Sequence, residues 1–141
     1  MARIVIDAKE AIVGRLGTLV AKLARMGNEV ILVNCEEAVI SGGRRAVIKE
    51  NVKTVHRGST EWGPYPPSRP DRFVRRMFRN MMNYKSPGGK KDYERVRTFI
   101  GVPEEYAKEI NKDYKFKKSS DLVKNKYVKV SDICKQIGGK W

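Results

Sequence analysis

Residues 3–34 read RIVIDAKEAIVGRLGTLVAKLARMGNEVILVN, and three patterns follow one another in them. Arg3–Asp7 alternates and is rich in β-branched residues, the mark of a strand. Val13, Leu16, Leu19, Val20, Leu23 and Ala24 then recur at helical spacing, so a helix is expected over about 13–26, closing at Gly27-Asn28. Val30–Asn34 is an unbroken apolar run, as in a strand covered on both faces. Strand, helix and strand joined by short connections make a βαβ unit with a right-handed crossover. The chain therefore reads as α/β.

Downstream, Ala38–Ile40 suits a short strand or turn, and a helix carrying Val47, Ile48, Val52 and Val55 is expected to run to about residue 55. Ser41, Gly42 and Gly43 ahead of it, with Arg44 and Arg45, suit either an anion site at a helix start or a plain glycine turn. From Arg57 to Pro70, four prolines and two glycines rule out a regular element and predict a long extended loop. Within that loop Trp62 and Tyr65 suit stacking on unpaired bases, with Arg57 and Arg69 on phosphates, or packing on the domain or a protein neighbour. Farther on, Arg97–Ile100 reads as a strand and Pro103 opens a short helix to about Ile110. Residues 111–125 read as a polar surface excursion, Tyr127–Val130 as a further strand, and Ser131 as the cap of a last helix ending at Gly138-Gly139.

The stretch that speaks most directly to function is residues 71–84, expected as one helix. At about 100° per residue, Arg72, Arg75, Arg76 and Arg79 share one face, while Phe73, Val74, Met77, Phe78, Met81 and Met82 share the other. No acidic residue stands three or four places after any of these arginines to compensate them, so an external anion is the simplest account. Asp71 suits the start of the helix. Residues 86–91, Ser-Pro-Gly-Gly-Lys-Lys, are expected to form a loop in which Gly88 and Gly89 let backbone amides approach phosphate, with Lys85, Lys90 and Lys91 around them. The spacing is not that of a Walker loop.

Charge supports the same partner. Thirty Lys and Arg against 16 Asp and Glu leave a net +14 and a pI near 10.0, a self-repulsion that a polyanion relieves. Residues 56–100 are the most basic segment, with eleven basic and four acidic groups, and they hold most of the arginine. Residues 101–141 carry ten lysines and no arginine. Arg grips phosphate with a planar fork and Lys acts as a diffuse charge, which places specific contacts in the middle of the chain.

Other classes find little support. No apolar run approaches the roughly 20 residues needed to cross a bilayer, and the N-terminal residues read as a strand rather than a signal peptide. Cys35 and Cys134 stand far apart and outside any metal-binding spacing, so they are expected as reduced, partly buried thiols. His56 is the single histidine, which excludes a multi-histidine metal site, and the paired acids Glu36/Glu37 and Glu104/Glu105 would point apart on a helix. No catalytic set or cofactor fingerprint emerges, and no cofactor or small-molecule substrate is expected.

Read together, these residues resemble the universal large-subunit ribosomal protein thirteen family. Val5-Ile6-Asp7-Ala8 followed by Gly14-Arg15-Leu16-Gly17 is similar to its first strand and helix, and Val30–Asn34 with Ala38–Gly42 to its second strand and the turn after it. Arg72 to Lys90, with Met81-Met82-Asn83 and Ser86-Pro87-Gly88-Gly89-Lys90, is similar to its basic helix and glycine loop, and Phe99-Ile100-Gly101 to the strand end that follows. The resemblance covers about residues 3–103. The loop with Trp62, Gly63 and Pro64, and the tail from about 104 including Tyr127–Val130 and Trp141, depart from the bacterial pattern and look archaeal or eukaryotic; the small size favours an archaeal-type member.

The resemblance implies a three-layer α/β/α fold around a mainly parallel four-stranded sheet, with basic loops and a C-terminal extension. It also implies a structural, early-assembling rRNA-binding protein of the large ribosomal subunit, in the cytoplasm. Residues 1–103 are then the core domain, with loop 57–70 and helix 71–84 included, and 104–141 a helical, Lys-rich extension packed on it. Partners expected are large-subunit rRNA and neighbouring ribosomal proteins, with no membrane. Arg72, Arg75, Arg76, Arg79, Lys85, Lys90 and Lys91 are the main phosphate contacts expected, and Arg44, Arg45 and Arg57 secondary ones. A free RNA-binding regulator or assembly factor is the alternative, and an RNA-modifying enzyme a weaker one.

Overall fold

In the computed structural model, which describes residues 2–141, the first 33 residues form the expected unit: Arg3–Asp7 (β1), Val13–Arg25 (α1) and Glu29–Val33 (β2). Val39–Ser41 (β3) and Arg44–Val55 (α2) follow, then Pro70–Arg79 (α3), Pro87–Glu94 (α4), Val96–Thr98 (β4), Tyr127–Lys129 (β5) and Val130–Gln136 (α5).

β1, β2 and β4 form a parallel sheet with β2 in the middle, in register from Ile4 opposite Val30 to Val30 opposite Val96. Alternation along the strands sorts the core. Ile4, Ile6, Val30, Leu32 and Val96 face a large cluster built with Leu16, Val20, Val74, Phe78 and Cys134. Val5, Ile31 and Val33 face the other way, where Tyr106 covers them with Phe99 and Ile110 at its edge. Both faces are thus covered, which is why β2 is apolar from Val30 to Val33. At the C-terminal edge of the sheet, the Asn34 side-chain amide donates to an Asp7 carboxylate oxygen at 2.9 Å and ties the ends of β1 and β2 together.

The parallel sheet has three strands, where the family resemblance implies four. β3 pairs instead with β5, antiparallel, from Val39 opposite Lys129 to Ser41 opposite Tyr127. Ile110 makes only an isolated parallel bridge to Val5, because the polar residues after it have no apolar side chains to bury against the sheet. The second face is covered by an irregular segment: residues 104–108 form turns, not the helix expected from Pro103 to Ile110. Apolar residues there come at Tyr106 and Ile110 only, too few for a helical stripe. Ser131 lies inside α5, whose N-cap is Lys129, and the buried Val130, Ile133 and Cys134 anchor that helix.

α1 and α3 approach closely at Gly17. A Cβ there would lie 2.8 Å from Phe78 Cδ1 and 2.6 Å from Met81 Sδ, so only glycine allows the contact.

Cys35 and Cys134 are both free and buried, more deeply than the sequence pattern predicts. Burial pushes each thiol up to about 12 from its ordinary 9.0. A pKa raised on folding favours the folded state fully below the unfolded value, and that preference is lost as pH rises from about 9 to about 12. Stability is therefore expected to fall across that window, and to fall less in a Cys35→Ala/Cys134→Ala variant. Equal loss in the two proteins, followed by urea unfolding at each pH, would assign the effect to other groups.

Candidate RNA-facing surface

α3 starts where the sequence predicts and stops earlier. Pro70 occupies its first turn with its φ already fixed, Asp71 stands beside the partly positive N-terminus, and Arg76 and Arg79 fall in the last turn. The Asp71 carbonyl accepts from Thr98 Oγ1 at 2.9 Å, which fixes the helix start to β4. After Arg79 the chain turns rather than continuing to residue 84, with Asn83 at φ +48°. Val74, Phe78 and Met82 are buried and Phe73 and Met77 partly so, as the apolar face requires, but Met81 is exposed.

The arginine face divides in two. Arg72 and Arg76 are exposed, with no ion pair among the described residues. Arg75 turns down against the protein: its Nε donates to the Val96 carbonyl at 3.1 Å and an Nη to that of Tyr93 at 3.4 Å. Its guanidinium carbon also lies 4.4 Å from the centre of the Tyr93 ring. Arg79 lies 4.8 Å from the centre of the Tyr84 ring, and Tyr84 meets Tyr93 edge-on at 5.3 Å. Arg75, Tyr93, Tyr84 and Arg79 thus form a row of two rings between two cations along the seam between α3 and α4. The sequence pattern missed Tyr84 and Tyr93; their signal was aromatic residues flanking a basic stretch.

Arg75 consequently belongs to the fold as much as to any ligand. Arg75→Gln is expected to lower stability by about 1–3 kcal/mol, through a lost charged hydrogen bond and ring contact. Arg72→Gln, at an exposed position, is expected to stay within about 0.5 kcal/mol. Thermal unfolding of the two variants checks the difference, and equal midpoints would remove Arg75 from the seam.

Residues 86–91 are not a loop. Ser86 caps α4, its Oγ accepting from Gly89 N at 3.1 Å, and Pro87 takes the first helical position. Gly89 is buried against the carbonyls of Met82 and Asn83, so its missing side chain serves packing rather than phosphate approach. Gly88 is exposed with open space beside it. Lys85, Lys90 and Lys91 are exposed and lack ion pairs among the described residues. With Arg72, Arg76 and Arg79 they give the α3–α4 edge six cations, of which only Arg79 has a ring partner.

The remaining expected residues lie elsewhere. Arg44 pairs with Asp132 on α5 at 3.1 Å, while Arg45 beside it is exposed. The Gly42 amide is taken by the Lys126 carbonyl at 2.9 Å, which removes it from any anion site before α2. In the 57–70 loop, Ser59 and Gly63 pair through both backbone bonds and Trp62 N donates to Ser59 Oγ, so the expected extended run begins as a tight turn. Tyr65 braces that turn: its hydroxyl donates to the Thr60 carbonyl at 2.7 Å and its ring lies against Gly63. Trp62 projects from it, 88% exposed. Arg57 is exposed, and Arg69 pairs with Asp71 at 3.5 Å. His56 closes α2, exposed, with no acid or nucleophile bonded to it. Among the described residues no group of His, Cys, Asp and Glu could hold a metal ion, and no helix is long and apolar enough to cross a membrane.

A profile of the ribosomal protein L13 family matches residues 2–105. The chain is 41% identical to the large ribosomal subunit protein uL13 of Methanosarcina barkeri, over 97% of this chain and 99% of that one. It is 39% identical to uL13 of Methanococcoides burtonii over the same shares, and 37% identical to that of Methanocaldococcus jannaschii over 97% and 98%.

Proposed function

The chain belongs to the ribosomal protein L13 family, as an archaeal-type member, and from that premise we propose that it is a structural constituent of the cytoplasmic large ribosomal subunit that binds rRNA through its α3–α4 edge. It acts by neutralising phosphates and bracing the RNA fold, not by catalysis. The observation that carries the RNA reading is the cluster Arg72, Arg76, Lys85, Lys90 and Lys91: five exposed cations on α3, α4 and the turn between them, with no ion pair to a carboxylate among the described residues.

Each element supplies a different part of the binding. Arg72 and Arg76 offer planar forks for phosphate oxygens, and the three lysines extend the positive potential along α4. Arg75 and Arg79, held on tyrosine rings, keep the edge in one shape, so RNA geometry rather than base identity sets specificity. Trp62 is the side chain free to stack on a base or enter a neighbouring protein; Tyr65 is its support. Arg57 and Arg69 flank that loop, and Arg44 and Arg45 serve as secondary contacts. Residues 1–103 act as the RNA-binding core and 104–141 as an extension sealing it, and the β3–β5 pairing and the buried residues of α5 support that packing.

A sedimentation experiment separates this role from that of a free regulator or assembly factor. After a high-salt wash, a structural constituent stays with large subunits, whereas release into the supernatant would favour the factor.

A further inference from the structure

We propose that the outer face of α2, together with the β5 strand, grips a second stretch of rRNA, so that the protein clamps two RNA segments rather than resting on one. This rests on the RNA reading above but concerns a face away from the α3–α4 edge, on which Arg45 is the one residue already named as a secondary contact. α2 is unusual in burying no side chain fully; its apolar residues are only half covered. Around its outer side, Arg45, Lys49 and Lys53 fall within roughly 80° of one another at 100° per residue. All three are exposed, and none forms an ion pair among the described residues.

The stripe borders a built groove. One wall is Gly43 to Ala46 with Lys49, the other Asn125 to Tyr127, and about 660 Å³ lies between them. The walls are fixed to each other by the Gly42 amide on the Lys126 carbonyl and by Ser41 in register with Tyr127. Gly43 and Ala46 keep the α2 wall low, and Tyr127 leaves 41% of its surface open. No acidic side chain lines the groove, and Tyr127 is its one large apolar residue. Cations beside one accessible ring suit a phosphate backbone with a base against the aromatic face. A membrane surface or an apolar peptide would need a wider apolar floor.

The groove does not continue the α3–α4 edge. The side of α2 that faces α3 carries Asn51, Thr54 and Val55, which with Phe73 and Met77 line a separate apolar cleft of about 280 Å³. Lys49 lies roughly 120–160° around the helix from those three residues.

Directed cleavage tests the clamp. Cys35 and Cys134 are buried, so a single surface cysteine takes an iron chelate selectively. The chelate is tethered at Lys49→Cys or Lys90→Cys in protein assembled with large-subunit rRNA into subunits, and radical cleavage is mapped on RNA and protein. The clamp predicts rRNA cleavage from both sites at non-overlapping positions. Overlapping positions, cleavage from Lys90→Cys alone, or cleavage of a neighbouring protein from Lys49→Cys would each overturn it and leave the proposed function standing. Cleavage from neither site would overturn both. A second measurement uses Arg45→Gln/Lys49→Gln/Lys126→Gln, which should flatten log K against log salt by roughly 2–3 units without altering the unfolding midpoint; an unchanged slope overturns the clamp.

Discussion

Replacing Arg72, Arg76, Lys85, Lys90 and Lys91 together with Gln is expected to flatten the slope of log K against log salt, for rRNA binding, by roughly 3.5–4.5 units. Each cation resting on a phosphate displaces condensed counterions, and their release drives association. Removing five contacts removes that release, and affinity at low salt falls by orders of magnitude. Stability should hardly change, because these side chains are exposed and outside every ion pair among the described residues. The net charge falls with the substitution, so a control exchanging five lysines of the 108–124 stretch carries the same loss elsewhere. Filter binding over a range of salt concentrations decides the matter. If the control flattens the slope as much, the effect belongs to overall charge and the α3–α4 edge is not the RNA face.

Phe78→Ala is expected to act oppositely, costing about 3–5 kcal/mol of stability with little direct effect on electrostatics. Phe78 is fully buried in the large cluster and lies beside Gly17, where α1 and α3 approach most closely. The surrounding β-sheet and helices cannot collapse into the volume it leaves without moving that contact. Total stability for a domain is only about 5–15 kcal/mol, so one such substitution removes a large share. The unfolding midpoint should fall by on the order of 10 °C. The folded fraction should keep the salt slope of the unaltered protein, since the arginine face is intact. A midpoint within about 2 °C of the unaltered protein would mean that the interior repacks, contrary to the tight approach at Gly17.

Where local periodicity suffices, structure follows sequence closely. β1, α1, β2 and α2 lie within a residue or so of where alternation, helical spacing and an unbroken apolar run put them, because those patterns are local to each element. Departures arise where a distant partner decides. A helical wheel places Arg75 with its neighbours but cannot reveal that Val96 and Tyr93 wait on one side of it. Pro87, Gly88 and Gly89 suggest a loop by composition, yet Ser86 followed by Pro87 is also a helix start. Gly89 was legible as a close approach, but to the Met82 and Asn83 carbonyls instead of a ligand. Ala38–Ile40 reads as a short strand or turn and Tyr127–Val130 as a further strand, but no local pattern announces that the two segments pair.

The union of β3 with β5 also has a consequence for biogenesis. Val39–Ser41 leaves the peptidyl-transferase tunnel long before Tyr127–Lys129 is polymerised, and Val130, Ile133 and Cys134 close the same interior from that late segment. A nascent chain therefore carries an unsealed hydrophobic seam along α2 until its last helix emerges. The interior closes only once this late segment has been made, which delays commitment to assembly until then.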